Sequence, residues 1–447
     1  MPRAVAVALL AVGLVGCGKK AAVRPNVIVV LVDTLRADHL SLYGYGRKTS
    51  PVLDRFARRG IFFPVARSQA ACTFPSVNSL LTSRYPMRFV DQPDHSMGIP
   101  ADVAVLPEIL QREGYETAAI SASPIVRVTA SRHNPTGGFG RGFASFDESC
   151  LWRHAACVNQ KAFEFLRSPR AERPFFLYLH YIDPHGPYSP PKTFERRFST
   201  PVEEPEWLRR GDSNFIASEI YEHHKTPAEI DPAAVRHLVD LYDDEIRYFD
   251  GQLGQLLAEI DGRGLGGTTV VAITADHGEQ FLEHGGMKHC RSAFDVEVRT
   301  PLALRVPGRA AQVVGQPAGN IDLAPTLLAL LGIDSRGLGF EGRDLLAAPG
   351  GAPEEPVFSG QGVYRAATGR RFKLVYDIER VDLALYDLEV DPAETRDVKA
   401  DHPEEFRALR RGLFAWLLAV EGSTTPRQSI DAARAAEQQL KSLGYLE

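Results

Sequence analysis

The chain has 447 residues, 44% of them hydrophobic and 24% charged, with a net charge of −5. That length suits two or three domains around a large core, and the composition is that of an ordinary globular protein. Mild acidity without a long polybasic run excludes nucleic acid as an expected partner.

The chain opens with MPRAVAVALLAVGLVGC, which has one early arginine, an apolar stretch and small residues just before Cys17. The stretch is shorter than the ~20 apolar residues needed to cross a bilayer, so it reads as a secretion signal. Leu14-Val15-Gly16-Cys17 resembles the bacterial lipoprotein cleavage box. That resemblance implies a mature chain starting at a lipidated Cys17 and held to a membrane through its N-terminal lipid. Gly18 fits sorting to the outer membrane, so the expected location is the cell envelope, facing the periplasm or the secreted side. Residues 18–25 read as a spacer.

Three continuous apolar runs, NVIVVLVD, PFFLYLHYID and TTVVAITAD, predict strands covered on both faces. Between the last two, Leu238, Tyr242, Ile246, Phe249, Leu253, Leu257 and Ile260 fall at helical steps of three and four. The alternation predicts an α/β sandwich, with a large, mainly parallel mixed sheet flanked by helices over residues 26–349. Residues 196–232 read as a polar, proline-interrupted insertion, and GGFGRG at 137–142 reads as a loop, since no predicted strand precedes it. After a linker near residue 350, shorter alternating segments predict a smaller antiparallel sheet with one helix over 355–422, then a tail helix over 423–447. Cys150 and Cys157 are spaced for a short disulfide loop in an oxidising compartment.

The strand ends carry the chemistry. The runs stop at Asp33, at Asp183 with His185 beyond, and at Asp276 followed by His277. Ligands of open α/β sheets gather at this carboxyl edge, and three such ends predict a metal site. Asp33, Asp276 and His277 supply carboxylate and imidazole ligands, and a hard cation there lowers the pKa of a bound hydroxyl. Thr73, in TFPSVNSLLTSR, supplies that hydroxyl, and Pro75 marks the expected start of a helix whose free amides favour an anion.

The stretches NVIVVLVDTLRADHLSLYGYGRKTSPVLDRFA, TFPSVNSLLTSRYP, YIDPHGPYSPP, LYDDEIRYFDGQLGQLL, TADHGEQFLEHG, NIDLAPTLLALLGI and LYDLEVDPAE occur in this order. Together they resemble the sulfatase family of the alkaline phosphatase superfamily, from Asn26 to about Val420. The resemblance implies one divalent ion (calcium, manganese or zinc) on Asp33, Asp276 and His277, with Thr73 as the nucleophile. It implies that His185 contacts the substrate or leaving group and that Lys288 or His289 contacts the transferred group, with His284 a further substrate contact. Sulfatases proper convert a Cys or Ser in C/S-x-P-x-R to formylglycine. Here Thr73 holds that position, Val77 replaces the arginine, and Cys72 stands one residue too early. Thr34 stands where many relatives have another metal-binding Asp. The expected activity is metal-dependent hydrolysis of a sulfate or phosphate ester of a small molecule, glycan or lipid. The alternatives are a phosphoryl transferase acting on an envelope lipid or glycan, and a non-catalytic binding lipoprotein.

Overall fold

The structure is a computed structural model that describes residues 24–85, 87–90, 99, 102–129, 138–203, 205–347 and 355–421. The signal segment with Cys17, most of the spacer and the tail from residue 423 lie outside the described residues.

The main sheet has eight strands: β1 (Asn26–Val32), β2 (Ile61–Phe62), β3 (Glu116–Ser121), β4 (Ser145–Asp147), β5 (Phe175–Tyr181), β6 (Thr269–Ala275), β7 (Leu302–Arg305) and β8 (Gln312–Val313). Their order is β8-β2-β7-β6-β1-β5-β3-β4. Strands β6, β1, β5, β3 and β4 run parallel, while β7 is antiparallel to both of its neighbours. Every residue of β1 is buried. Ile28, Val30 and Val32 enter one apolar core and Val27, Val29 and Leu31 the other. Side chains alternate between faces along a strand, so burial on both faces produces the unbroken apolar run.

Helices α2 (Ala155–Arg167) and α3 (Pro232–Gly262) pack on the first core, and α1 (Thr73–Thr82) on the second. On α3, Leu256 takes the fully buried position assigned above to Leu257, which packs beside it partly covered. The inward face of α3 is also not wholly apolar. Asp243 binds His39, Tyr45 and Arg47, and Glu245 accepts from the Ser189 amide. Asp244 accepts from the amides of Arg197, Phe198 and Ser199 and from the Ser199 hydroxyl, and Asp250 accepts from the amides of Val52 and Leu53. Buried carboxylates are tolerated where hydrogen bonds replace their lost hydration, and these four fasten loops and the start of the helix Pro51–Arg59 to α3. Asp244→Ala leaves the 197–199 turn without its acceptor and is expected to cost about 3 kcal/mol, read as a lower midpoint of urea unfolding.

The second sheet is antiparallel, with strands Val357–Gln361, Tyr364–Thr368, Phe372–Asp377 and Asp382–Asp387 in that order, backed by α4 (Pro403–Glu421). It lies against the main body near Thr73, because Gly360 N donates to Gln69 O (2.9 Å) and Ser359 Oγ to Ser68 O (2.5 Å). A buried ionic group joins the two parts. Lys373 Nζ lies 2.7 Å from both Asp295 Oδ1 and Glu394 Oε1, and Arg67 donates to both Asp295 oxygens. The insertion at 196–232 contains helices Glu206–Arg209 and Asn214–Tyr221. Cys150 and Cys157 form the expected disulfide, and Cys72 forms an unexpected one with Cys290. Among the described residues, no helix is long and apolar enough to cross a membrane.

Candidate functional site

Strand register builds the centre. Val32 pairs with Ala275 in the neighbouring parallel strand, so Asp33 and Asp276 leave the sheet side by side, with His277 next. All three are buried, and one ligand atom from each lies within 4.8 Å of the others. His277 Nδ1 donates to Gly278 O (2.9 Å), which leaves the Nε2 lone pair 3.5 Å from Asp276 Oδ2 and 3.9 Å from Asp33 Oδ1. Burial and then the Asp276 charge push the Asp33 carboxyl well above its usual range. Burial alone would lower the His277 pKa, but Asp276 and Asp33 outweigh it and raise it. Asp33 Oδ1, Asp276 Oδ2 and Thr34 Oγ have no hydrogen-bond partner among the described residues. Mutually repelling buried carboxylates with bare oxygens, beside an imidazole lone pair, fit a divalent cation.

Thr34 adds strain. Its φ is 53°, a left-handed conformation that a β-branched residue rarely adopts. Its amide donates to Asp276 Oδ1 (3.1 Å) and its carbonyl accepts from Tyr242 Oη (2.6 Å), which together hold it there.

Asp183 does not join this group, contrary to the reading of three strand ends as one site. Val32 also pairs with Tyr181, so Ile182 comes opposite Asp33 and Asp183 falls one residue beyond. Asp183 instead accepts from the Ala155 amide at the start of α2 (2.7 Å) and bonds His154 (2.9 Å).

Thr73 is the first residue of α1, so the helix begins two residues earlier than Pro75 had suggested. Proline is tolerated in the first turn because amides there have no partner within the helix. Ser76 Oγ donates to Asp276 O (2.7 Å), which locks the helix start to the turn that carries Asp276 and His277. The Thr73 hydroxyl then lies 3.2 Å from His277 Nε2. Val77 is wholly buried in the apolar core, so no charge reaches the site from that position.

His289 brings the histidines together, with its ring 4.6 Å from that of His277 and 5.2 Å from that of His185. Burial, and then His289, pull His185 down to about 3, while burial, His277 and Lys288 hold His289 well below its ordinary value. Lys288 acts on both through its charge, and its ammonium binds Asn214 Oδ1 (2.5 Å) from the insertion. Of the two residues left open above, His289 supplies the ring contacts and Lys288 the charge. His284 is placed elsewhere. It stacks on Phe294 (3.8 Å, 5°), which in turn touches Tyr364 and Tyr386 of the second sheet.

Three supporting residues escaped the sequence reading. His180 Nε2 lies 3.4 Å from Asp33 Oδ2, and its Nδ1 bonds Tyr178 Oη (3.0 Å). Burial lowers His180 to about 4, and a histidine inside an apolar strand was its only signal. Asn214 lay in a segment read as polar insertion. Glu279, two residues after His277, bonds His289 Nδ1 (2.9 Å). Glu279→Gln is expected to loosen His289 and lower kcat by up to about 10²-fold, with little change in KM in steady-state assays.

The fold and this arrangement define the alkaline phosphatase superfamily. The chain belongs to the sulfatase family, whose profile, described as "Sulfatase", matches residues 25–333. It is 25% identical to human iduronate 2-sulfatase over 338 residues, which cover 64% of this chain and 60% of the relative. It thus spans about three fifths of the first curated relatives it matches, human and mouse. The structure of a 2-O GAG sulfatase superimposes with a TM-score of 0.71 at 19% identity, covering 92% of this chain and 96% of that one. The phosphonate monoester hydrolase of Agrobacterium radiobacter gives 0.66 at 19%, covering 89% and 96%.

Proposed function

We propose that the protein is a metal-dependent hydrolase of sulfate or phosphate esters that uses Thr73, not formylglycine, as its nucleophile. The observation that carries this reading is the Thr73 hydroxyl 3.2 Å from His277 Nε2, beside carboxylates with bare oxygens. A divalent cation held by Asp33, Asp276 and His277 would lower the pKa of the neighbouring hydroxyl. The Thr73 hydroxyl releases its proton to solvent, its oxygen attacks sulfur or phosphorus in line, the bond to the ester oxygen breaks, and the departing oxygen takes a proton. His185, which burial otherwise keeps neutral, would supply that proton once an arriving anion favours its protonated form. Lys288 and His289 steady the oxygens of the transferred group. Water then attacks the Thr73 ester and frees the hydroxyl.

Formylglycine hydrate expels sulfate by collapsing to an aldehyde, whereas a threonine ester requires attack at the central atom itself. That difference favours phosphorus over sulfur, and the likeness to a phosphonate monoester hydrolase supports it. Among the relatives, several are named for sulfated sugars, which supports a glycan substrate. Lipidation at Cys17 would place the enzyme in the cell envelope. The test is turnover of nitrophenyl sulfate, nitrophenyl phosphate and a nitrophenyl phosphodiester by the full-length protein with calcium, manganese or zinc. Metal-dependent hydrolysis, faster on a phosphoester, is expected. Inactivity on all three with every metal would contradict the reading.

A further inference from the structure

The cysteine beside the nucleophile has a partner across the site. Cys72 directly precedes Thr73 and is linked to Cys290, which directly follows His289, with Cα atoms 4.8 Å apart and a sequence separation of 218. The two backbones also meet, since Cys290 N donates to Ala71 O (2.9 Å). Lys288 and Cys290 adopt φ of 71° and 68°, left-handed conformations that side chains other than glycine rarely keep unaided. His289 sits between them with its ring against those of His277 and His185. The segment that carries both substrate contacts is therefore irregular in backbone and tied covalently to the residue before the nucleophile.

We propose that the Cys72–Cys290 disulfide is a positioning element that sets the spacing between the Thr73 hydroxyl and the Lys288–His289 pair, so that turnover depends on its oxidation. The inference rests on the roles given to those residues above. A dithiol reduces the bond by exchange, in which two cysteine thiols form as the dithiol closes to its own disulfide, with no net change in protons. Misplacing a reacting group by about an ångström costs up to about 10²-fold in rate. Loss in kcat is therefore expected, with KM little changed.

The test uses the full chain carrying Cys150→Ser and Cys157→Ser, so that only one of the two disulfides remains. Dithiothreitol is titrated while mass spectrometry follows the remaining bond, and kcat, KM and backbone hydrogen exchange are recorded together, with Cys290→Ser in parallel. The expected result is a fall in kcat of at least about tenfold, restored by reoxidation with oxidised glutathione. Exchange should quicken only near residues 71–75 and 287–292. Unchanged kcat after complete reduction overturns the proposal. So does faster exchange throughout β1, β5 and β6, which would make the bond a general staple of the fold. Full activity of Thr73→Ala would instead remove the nucleophile reading. The clamp would then be judged by exchange alone, and unchanged exchange in both segments would overturn it.

Discussion

Thr73→Ala is expected to lower turnover at least ~10³-fold, the scale seen when a covalent nucleophile is removed, while leaving the fold and metal binding intact. The Thr73 hydroxyl lies 3.2 Å from His277 Nε2. The helix start is held independently, by Ser76 on the Asp276 carbonyl and by Val77, Leu80 and Leu81 in the core. The comparison is kcat for wild type and variant on one ester, with metal content measured by elemental analysis. Thr73→Ser retains a hydroxyl at the same position and should retain substantial activity. Equal kcat in wild type and Thr73→Ala would remove threonine from the mechanism.

Lys373→Met is expected to be the most damaging substitution for stability, at about 3–5 kcal/mol, because it leaves buried charge uncompensated. Lys373 is fully buried with Asp295 and Glu394 at 2.7 Å, and methionine fills the space without the ammonium. Burial already pushes Glu394 up to about 7 despite the opposing pull of Lys373. A carboxyl whose folded pKa is raised binds more protons folded than unfolded, so its contribution to stability falls as pH rises from about 4.5 through the folded value. Without Lys373 that value rises further. The deficit relative to wild type should therefore be smaller at pH 5 than at pH 8, measured by urea unfolding. A pH-independent deficit would show that packing, not charge, is what Lys373 contributes.

The sheet was legible because strands covered on both faces are largely apolar, as the wholly buried β1, β5 and β6 are. Asp33, Asp276 and His277 were legible because each terminates such a run. The exclusion of Asp183 was not, since it depends on a register that seats Ile182 opposite Asp33. Asp243, Asp244, Glu245 and Asp250 look like the wet side of an amphipathic helix, yet they face inward and bind segments remote in sequence. Periodicity reports how apolar residues recur and is silent on buried acids that have found partners. The Cys72–Cys290 link was hidden for the same kind of reason. Only the folded chain brings two turns 218 residues apart to the same edge of the sheet.

The central claim is that Thr73 becomes covalently esterified during turnover. Rapid acid quench during hydrolysis of a phosphate or sulfate ester, followed by proteolysis and mass spectrometry, tests it directly. The account predicts a peptide containing Thr73 heavier by one phosphoryl or sulfuryl group, absent from Thr73→Ala and from samples quenched before substrate. Steady turnover with that peptide unmodified at every quench time, and with Thr73→Ala equally active, would contradict it.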